Sequence, residues 1–220
     1  DDENKTADPG TAAPPVTPPA TPAPPLDPGT PSEPEISFTD LSGYEWAQAD
    51  ICALARRGII EGTSDTTFTP ERSLKRAELA VLLVRAFGLT GTAQENFTDI
   101  PAGAYYAEAL SAAKQNGIVE GIGSNRFNPE GSITREDLML MIVRALNRLG
   151  IPLTEPGEDA LAAFSDAGDV SAYALGAVRL LVGNGVIEGS GGKINPRSEA
   201  TRAEAAVILN RILTRVVDQK

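Results

Sequence analysis

A pattern of short motifs that recurs three times constrains the fold of this chain more than any other feature. FTD at position 38 returns as FTD at 97 and FSD at 164, and RGIIEG at 57 returns as NGIVEG at 116 and NGVIEG at 184. FTP likewise returns as FNP and INP. An arginine in the related motifs KRAE, TRED and TRAE keeps the same register, at Arg76, Arg135 and Arg202. Such self-similarity is typical of repeat proteins, whose units stack to bury a shared core. We therefore predict three copies of one structural unit.

Each unit contains two predicted helices joined by a loop rich in Gly, Ser, Asn and Pro. The first helix, for example Glu45 to Arg57, places an apolar stripe at i, i+4, i+7 and i+8 from Ala47, and Gly58 is suited to end it. The second helix begins at the arginine motif and is apolar nearly all round, as in AELAVLLVRAFG, so it must be buried on most sides. A unit of about 60 residues cannot easily supply that cover alone. We predict an all-α fold in which three helix-loop-helix units form one pseudo-threefold domain, with the second helices side by side and the first helices outside.

Composition divides the chain into a spacer and a folded part. The first 35 residues hold 11 of the 17 prolines and carry a net charge of −6, so they have little apolar surface to bury. This composition predicts a disordered, partly polyproline spacer. An insertion between the second and third units lengthens a loop marked by proline and glycine. The predicted boundaries are 1–35 for the spacer, 36–95, 96–150 and 164–220 for the repeats, and 151–163 for the connector insertion.

The residues that are rare in this chain exclude several functions. There is no histidine, which removes the most common general base and zinc ligand, and we expect neither metal nor cofactor. The only cysteine, Cys52, lies between apolar neighbours and is expected to be buried and inert. Asp40, Asp99 and Asp166 would be the carboxylates of a hydrolase, but each recurs at one place in the repeat, which favours a role in turns. We therefore expect no enzymatic activity.

The charge of the chain argues against two further classes of partner. The net charge is −11 and no basic block occurs, which excludes diffuse attraction to nucleic acid or to an anionic membrane. No apolar run reaches the roughly 18–20 residues that span a bilayer, so we expect no direct membrane insertion. Any anionic partner must be bound by a few local residues.

The arginines of the repeated motif are not explained by helix stability. A cation at a helix N-terminus is unfavourable by about 0.3–1 kcal/mol when exposed. Thr134 and Thr201 are predicted N-caps, which would set Arg135 and Arg202 beside unpaired backbone N–H groups, where an anion is favoured. Alternatively, each arginine pairs with an acidic side chain of the neighbouring unit and locks the repeats together. The residues leave both interpretations open.

Two further sets of residues repeat in register. A second arginine in the middle of each second helix is expected to be structural, pairing with acids or capping carbonyls. These arginines are Arg85, Arg144 and Arg211. An aromatic residue near the start of each first helix is either part of the core or an exposed platform for a sugar ring. These aromatic residues are Trp46, Tyr105 and Tyr173.

The complete motif pattern resembles the S-layer homology (SLH) domain of bacterial surface proteins. It consists of F-x-D, the aromatic residue, G-I/V-I/V-x-G, F-x-P and T-R-A-E, and it occurs three times over residues 36–220. The resemblance implies a pseudo-trimer of helical repeats with grooves between them. It also implies non-covalent anchoring to secondary cell-wall polymer, an anionic polysaccharide, by recognition of pyruvylated N-acetylmannosamine. In that family the motif arginine contacts the carboxylate of the saccharide.

The resemblance carries over to ten residues of this chain, but not uniformly. The implied ligand-binding residues are Arg76, Arg135, Arg202, Trp46, Tyr105, Tyr173, Gly62, Gly121 and Gly189, with Lys75 as an added cation. Lys75 stands where the motif has threonine, Glu136 and Asp137 add negative charge beside Arg135, and Ala172 precedes the third aromatic. Three grooves therefore need not mean three binding sites.

The sequence thus predicts an extracellular, non-catalytic anchoring module of the cell wall or S-layer. The spacer would tether it to an upstream cargo domain or to surface-lattice subunits of a longer protein. The rival hypothesis is a protein–protein assembly module of a surface lattice, in which the arginines form interface ion pairs. It predicts tight self-association without polymer, whereas the anchor predicts a monomer that binds wall material.

Overall fold

Six short α-helices form most of the regular structure in the part of the chain that the structure describes. A computed structural model describes residues 36–218, and the predicted spacer lies outside the described residues. The helices are α1 (Glu45–Arg56), α2 (Arg76–Phe87), α3 (Ala107–Gln115), α4 (Arg135–Arg148), α5 (Leu175–Gly183) and α6 (Arg202–Ile212). Between residues 36 and 218 there are only isolated β-bridges and no strand, and no helix there is long and apolar enough to cross a membrane. The all-α prediction is confirmed.

The ends of the helices follow local sequence signals. The three second helices α2, α4 and α6 each begin at the motif arginine, as predicted. α1 ends one residue earlier than predicted, and Gly58 adopts φ +66° as its N–H donates to the carbonyl of Ala55. The N–H of Ile59 then donates to the carbonyl of Leu54 at 3.0 Å, which completes a glycine-terminated helix end.

The first helices pack between units and not within them. α3 lies on α2, α5 lies on α4, and α1 lies on α6, so each first helix covers the second helix of the preceding unit in cyclic order. The contact of α1 with α6 joins the first and last units and closes the ring. A single unit therefore lacks the helix that would bury its own apolar second helix.

Three backbone hydrogen bonds mark the pseudo-threefold axis. Leu74 N donates to Ala200 O at 2.8 Å, Ile133 N donates to Leu74 O at 2.9 Å, and Ala200 N donates to Ile133 O at 2.9 Å. These residues occupy equivalent positions just before the three second helices, and their side chains are fully buried. The closed cycle confirms the predicted pseudo-threefold arrangement.

The connector between the second and third units is more ordered than a plain loop. It contains a 3₁₀ turn at Glu158–Leu161, and the side chain of Leu161 is buried in the core. Asn184, which follows α5, accepts from Thr154 N at 3.0 Å and donates to Thr154 O at 2.8 Å. The insertion is therefore fastened to the third unit by hydrogen bonds and by one apolar side chain.

Candidate functional site

The repeated aspartates shape the loops of the candidate site. Each carboxylate accepts hydrogen bonds from two successive backbone N–H groups of its own unit, at 2.7–3.0 Å. The aspartates are Asp40, Asp99 and Asp166. Burial raises the pKa of each carboxyl, but the N–H donors outweigh it and the net pKa lies below the ordinary value. Within residues 36–218 no three acidic or cysteine side chains are grouped to hold a metal ion. The aspartates therefore act as loop anchors, as their register predicted.

The loop glycines are required by close packing. A Cβ at Gly62 would lie 2.3 Å from the carbonyl oxygen of Ser64 and 2.7 Å from the Phe38 ring. Gly121 and Gly189 are equally crowded, with Cβ contacts of 2.5 Å to a loop carbonyl and to the Phe164 ring, respectively. These contacts bring each loop close to the F-x-D phenylalanine, and they account for the glycines without a ligand.

The motif arginines cross from one unit to the next. Arg76 Nε donates to Phe127 O at 3.0 Å, Arg135 Nε donates to Ile194 O at 2.8 Å, and Arg202 Nε donates to Phe68 O at 2.9 Å. The guanidinium groups of Arg76 and Arg202 also lie over the rings of Phe127 and Phe68, at 4.6 and 4.4 Å. Isoleucine replaces the ring in the third unit. Each arginine thus joins two units at the floor of the crevice between them.

The prediction of unpaired N–H groups beside these arginines is wrong. Arg76 N donates to Gly131 O at 2.8 Å and Ala77 N donates to Pro129 O at 3.0 Å. The same two bonds form at the starts of α4 and α6, where the carbonyls of Ser198, Pro196, Arg72 and Pro70 accept. The loop of the next unit supplies these acceptors. An anion at this place would therefore meet guanidinium groups and not the helix N–H groups.

The helix caps agree with the prediction in part. The hydroxyls of Thr134 and Thr201 accept from the N–H groups of Asp137 and Glu204 at 3.2 Å. Glu204 completes the capping box by accepting from Thr201 N at 2.9 Å. The carboxylate of Asp137 instead accepts from the Tyr173 hydroxyl at 2.9 Å and faces Arg76, so the second unit forms no reciprocal box among the described residues.

The arginines differ in their acidic partners. Arg135 Nη1 lies 2.7 Å from Glu204 Oε1, and Arg76 Nη1 lies 3.8 Å from Asp137 Oδ2, both across a unit boundary. The equivalent acid for Arg202 is Glu78, which is paired with Arg72 of its own unit at 2.7 Å. The alternative in which the arginines lock neighbouring units by ion pairs thus describes Arg135 and, more loosely, Arg76. It does not describe Arg202.

The repeated aromatic residues are exposed and not part of the core. The exposed fractions are 55% for Trp46, 71% for Tyr105 and 60% for Tyr173. Trp46 lines the same cavity as Arg135, and Tyr173 lines the same cavity as Arg76. Tyr105 is close enough to Arg202 to affect its pKa. Of the two alternatives for these residues, the structure supports the exposed platform.

The structure has two cavities of this kind, at Arg135 and at Arg76, each built from all three units. The pseudo-threefold register defines a third, equivalent groove at Arg202. One unit gives the motif arginine, the next gives the glycine loop and an acidic residue, and the remaining unit gives the aromatic. We call them the Arg76 groove, the Arg135 groove and the Arg202 groove; their aromatics are Tyr173, Trp46 and Tyr105, respectively. The cavity of the Arg135 groove has a volume of about 490 Å³ and that of the Arg76 groove about 270 Å³.

The second set of arginines is paired as predicted. Each pairs with the glutamate of the E-G dipeptide in its own unit, at 2.7, 2.8 and 3.1 Å. The pairs are Arg85–Glu61, Arg144–Glu120 and Arg211–Glu188. Arg144 and Arg211 also line the cavities of the Arg76 and Arg135 grooves. These residues hold the glycine loops against the second helices.

Lys75 already has a partner in the neighbouring unit. Its Nζ lies 2.6 Å from Glu130 Oε2, and the other oxygen of Glu130 accepts from the Tyr106 hydroxyl. The hydrogen bond to Glu130 raises the pKa of Lys75, which keeps the ammonium charged. The extra cation of the first unit therefore serves a contact between units in this structure.

The sequence interpretation missed four side chains that shape the grooves. Asp137 is predicted only to add negative charge beside Arg135, and no role in the grooves is predicted for Glu78 or Glu204. Their register, two residues after the motif arginine in each unit, is the signal that could have identified them. Arg72 has no such signal, because its equivalents are Gly131 and Ser198.

Comparison with known proteins gives a family for the part of the chain that builds these grooves. The model of the S-layer homology domain matches residues 37–80, 96–139 and 163–206. Each match runs from the F-x-D motif into the second helix of its unit. The three matches coincide with the three copies of the motif pattern.

Similar curated proteins include both lattice proteins and enzymes. The chain is 33% identical to the "Surface-layer 125 kDa protein" of Lysinibacillus sphaericus over 183 residues, covering 81% of this chain and 15% of that protein. It is 35% identical to an amylopullulanase of Thermoanaerobacterium thermosulfurigenes over 181 residues, covering 80% and 9%. It is 34% identical to the exoglucanase XynX of Acetivibrio thermocellus over 182 residues, covering 81% and 16%. The chain thus matches only 9–16% of the length of these curated relatives.

Proposed function

The chain belongs to the S-layer homology domain family, a cell-surface anchoring module, and we propose that its grooves bind secondary cell-wall polymer non-covalently and without catalysis. The observation that carries the proposal is the make-up of each groove. A buried or half-buried guanidinium lies at the floor, a glycine loop and an acid form the walls, and an exposed aromatic lies at the rim. The proposed ligand is a carboxylated saccharide of the pyruvylated N-acetylmannosamine type.

The chemistry of the groove suits such a ligand. Guanidinium is planar and permanently charged, so it can bind a carboxylate through two parallel hydrogen bonds. An aromatic ring offers an apolar face to the C–H groups of a sugar and, in tyrosine and tryptophan, a polar edge. A volume of about 490 Å³ lies in the range of small-molecule sites. The proposed binding residues are six of the ten in the sequence prediction, namely Arg76, Arg135, Arg202, Trp46, Tyr105 and Tyr173. The glycines shape the loops by close packing, and Lys75 is paired with Glu130.

The proposal places the protein outside the cell, on the wall. Two kinds of cargo are represented among the relatives, a surface-layer protein and polysaccharide-degrading enzymes. We propose that this chain is the anchor of a longer protein of one of these kinds. Residues 1–35 would be the flexible spacer that separates cargo from anchor, and 36–95, 96–150 and 164–220 would be the repeats.

The assembly hypothesis uses the same arginines in a different way. It needs them as ion pairs to other subunits, whereas Arg76 and Arg135 already face acids within this chain. This internal pairing favours the anchor over the lattice contact.

Co-sedimentation with wall material separates the two hypotheses. The full chain is mixed with purified cell-wall sacculi that carry the secondary polymer and with sacculi stripped of it, and its mass in solution is measured by analytical ultracentrifugation. We expect a monomer that pellets with the intact sacculi only. Concentration-dependent self-association together with equal recovery from both sacculi would overturn the proposal and favour assembly.

A further inference from the structure

The three grooves differ in net charge although they share one design. In the Arg135 groove the guanidinium is neutralised by Glu204 at 2.7 Å. In the Arg76 groove the guanidinium faces Asp137 at 3.8 Å. The Tyr173 hydroxyl of that groove also donates to the buried carboxylate of Glu136 at 3.2 Å, which adds a second acid to the groove. A ligand carboxylate entering either groove must compete with a resident acid.

The Arg202 groove lacks this competition because of one residue. Arg72 binds both carboxylate oxygens of Glu78, with Nη2 at 2.7 Å from Oε1 and Nη1 at 3.2 Å from Oε2. Glu78 occupies the position that Glu204 occupies in the Arg135 groove. The acid that would neutralise Arg202 is therefore taken by an arginine of its own unit.

Arg202 is left buried without an ion pair among the described residues. The residue is 6% exposed, and Nε and Nη2 donate only to neutral carbonyls, Phe68 O at 2.9 Å and Glu61 O at 2.7 Å. Among residues 36–218 no carboxylate oxygen lies within 4.0 Å of its guanidinium. Burial lowers the pKa of Arg202 most and the neighbouring Arg72 guanidinium lowers it further, while Glu78, Tyr105 and Asp40 oppose that effect.

A buried cation is costly without a partner, so this arrangement is poised for an anion from outside. Arg72 takes the carboxylate of Glu78. The other acid near Arg202, Asp40, is held by two backbone N–H groups of its own loop, which leaves the Arg202 guanidinium without a direct carboxylate partner among the described residues. The side chain of Arg72 is 32% exposed, so an entering ligand can reach the pair. Neither Gly131 nor Ser198, at the equivalent places in the other grooves, can act in this way.

We propose that Arg72 makes the Arg202 groove the tightest carboxylate-binding site of the three, by withdrawing Glu78 from Arg202. This inference rests on the proposed function, because it ranks grooves for the same class of ligand. Arg72 is a specificity-determining residue here, since it selects which groove accepts the charged saccharide. The Arg135 groove accepts it less tightly, and the Arg76 groove, with two nearby acids, least.

The single tryptophan of the chain allows each groove to be measured separately. Trp46 reports the Arg135 groove. Trp46→Tyr combined with Tyr105→Trp moves the reporter to the Arg202 groove with the aromatic set conserved. Both full-length proteins are titrated with pyruvylated N-acetylmannosamine and with the same sugar lacking pyruvate, and tryptophan emission is followed. We expect a Kd about tenfold lower in the Arg202 groove, equivalent to roughly 1.4 kcal/mol.

A reciprocal exchange then tests Arg72 itself. Arg72→Ser, which copies the Arg135 groove, is expected to raise the Kd at the Tyr105→Trp reporter about tenfold, because Glu78 becomes available to Arg202. Ser198→Arg, at an exposed position, is expected to lower the Kd at the Trp46 reporter by a similar factor. This gain cannot arise from misfolding. The differences should vanish with the sugar that lacks pyruvate.

The outcomes separate the two levels of the hypothesis. If the grooves bind the charged sugar but neither exchange changes the Kd, the inference about Arg72 is overturned and the proposed function stands. If Arg72→Ser tightens binding, Arg72 obstructs the groove and the inference is likewise overturned. If no reporter responds to the charged sugar, the proposed function fails, and this inference fails with it.

Discussion

Replacing a motif arginine should destabilise the fold even when no ligand is present. Arg202→Ala removes two hydrogen bonds from a charged donor to carbonyls of the first unit, at 2.9 and 2.7 Å, and the contact with the Phe68 ring at 4.4 Å. Hydrogen bonds to charged groups contribute about 1.5–3 kcal/mol each, and a cation–π contact contributes about 0.5–2 kcal/mol. Water entering the vacated space and relief of the buried charge offset part of this loss. We expect a decrease of about 3 kcal/mol in the free energy of unfolding.

Thermal and urea unfolding of the full chain, followed by circular dichroism, measure this loss. For a domain of this size, about 3 kcal/mol corresponds to a fall in Tm of roughly 6–12 °C. Arg85→Ala is the matched control, because that guanidinium pairs with Glu61 at the surface, where the side chains are 40% and 72% exposed. Its cost should be under about 1 kcal/mol. Equal Tm values for the two variants would refute the view that the motif arginine joins the units.

Three further predictions concern packing, pH and the charge of the grooves. Gly62→Ala should lower the urea midpoint by an amount equivalent to about 1–3 kcal/mol, because its Cβ would overlap a carbonyl oxygen. Gly168→Ala is the control, since that residue has open space around it, and its midpoint should not change. Equal midpoints for the two variants would contradict the packing argument. The pKa of Asp99 is lowered in the folded state, so its contribution to stability is present above the unfolded pKa of about 3.9 and is lost as pH falls through the folded value. Tm should therefore be flat from about pH 7 to 5 and should fall below about pH 4. The fall should be smaller in the Asp99→Asn variant. An identical fall in the variant and the unaltered chain would exclude this carboxylate as a cause. Glu204→Gln should lower the Kd for carboxylated sugar at the Trp46 reporter by about three- to tenfold, because Arg135 loses its internal counter-charge, and an unchanged or higher Kd would count against competition by that acid.

The sequence was sufficient for the features that depend on local patterns. The second helices begin at their arginines, Gly58 ends α1, and Thr134 and Thr201 cap their helices. Helix caps and amphipathic patterns depend on residues only a few positions apart, so the sequence alone predicts them. The three aspartates were correctly assigned to turns for the same reason. Because the same local signals occur three times in register, they also predict the all-α domain as a whole.

The features that depend on the neighbouring unit could not be predicted from the sequence. Periodicity shows that α2 has a buried face, but it does not show that α3 of the next unit covers it. The N–H groups at the helix starts were wrongly expected to be unpaired, because their acceptors, such as Gly131 O for Arg76 N, lie more than 50 residues away. Arg72 breaks the repeat pattern, so its effect on Glu78 and Arg202 emerges only from the packed side chains.

Calorimetric titration of the full chain with secondary cell-wall polymer, before and after removal of its pyruvate, tests the central claim most directly. The proposed binding through the motif guanidinium groups predicts saturable binding to the native polymer and a loss of at least about tenfold in affinity without the carboxylate. Arg57→Ala, which removes a surface pair with Asp218 and leaves the lining of both cavities intact, should bind both forms as the unaltered chain does. Equal affinity for the two polymers, or no binding to either, would contradict the claim that these grooves recognise a carboxylated saccharide.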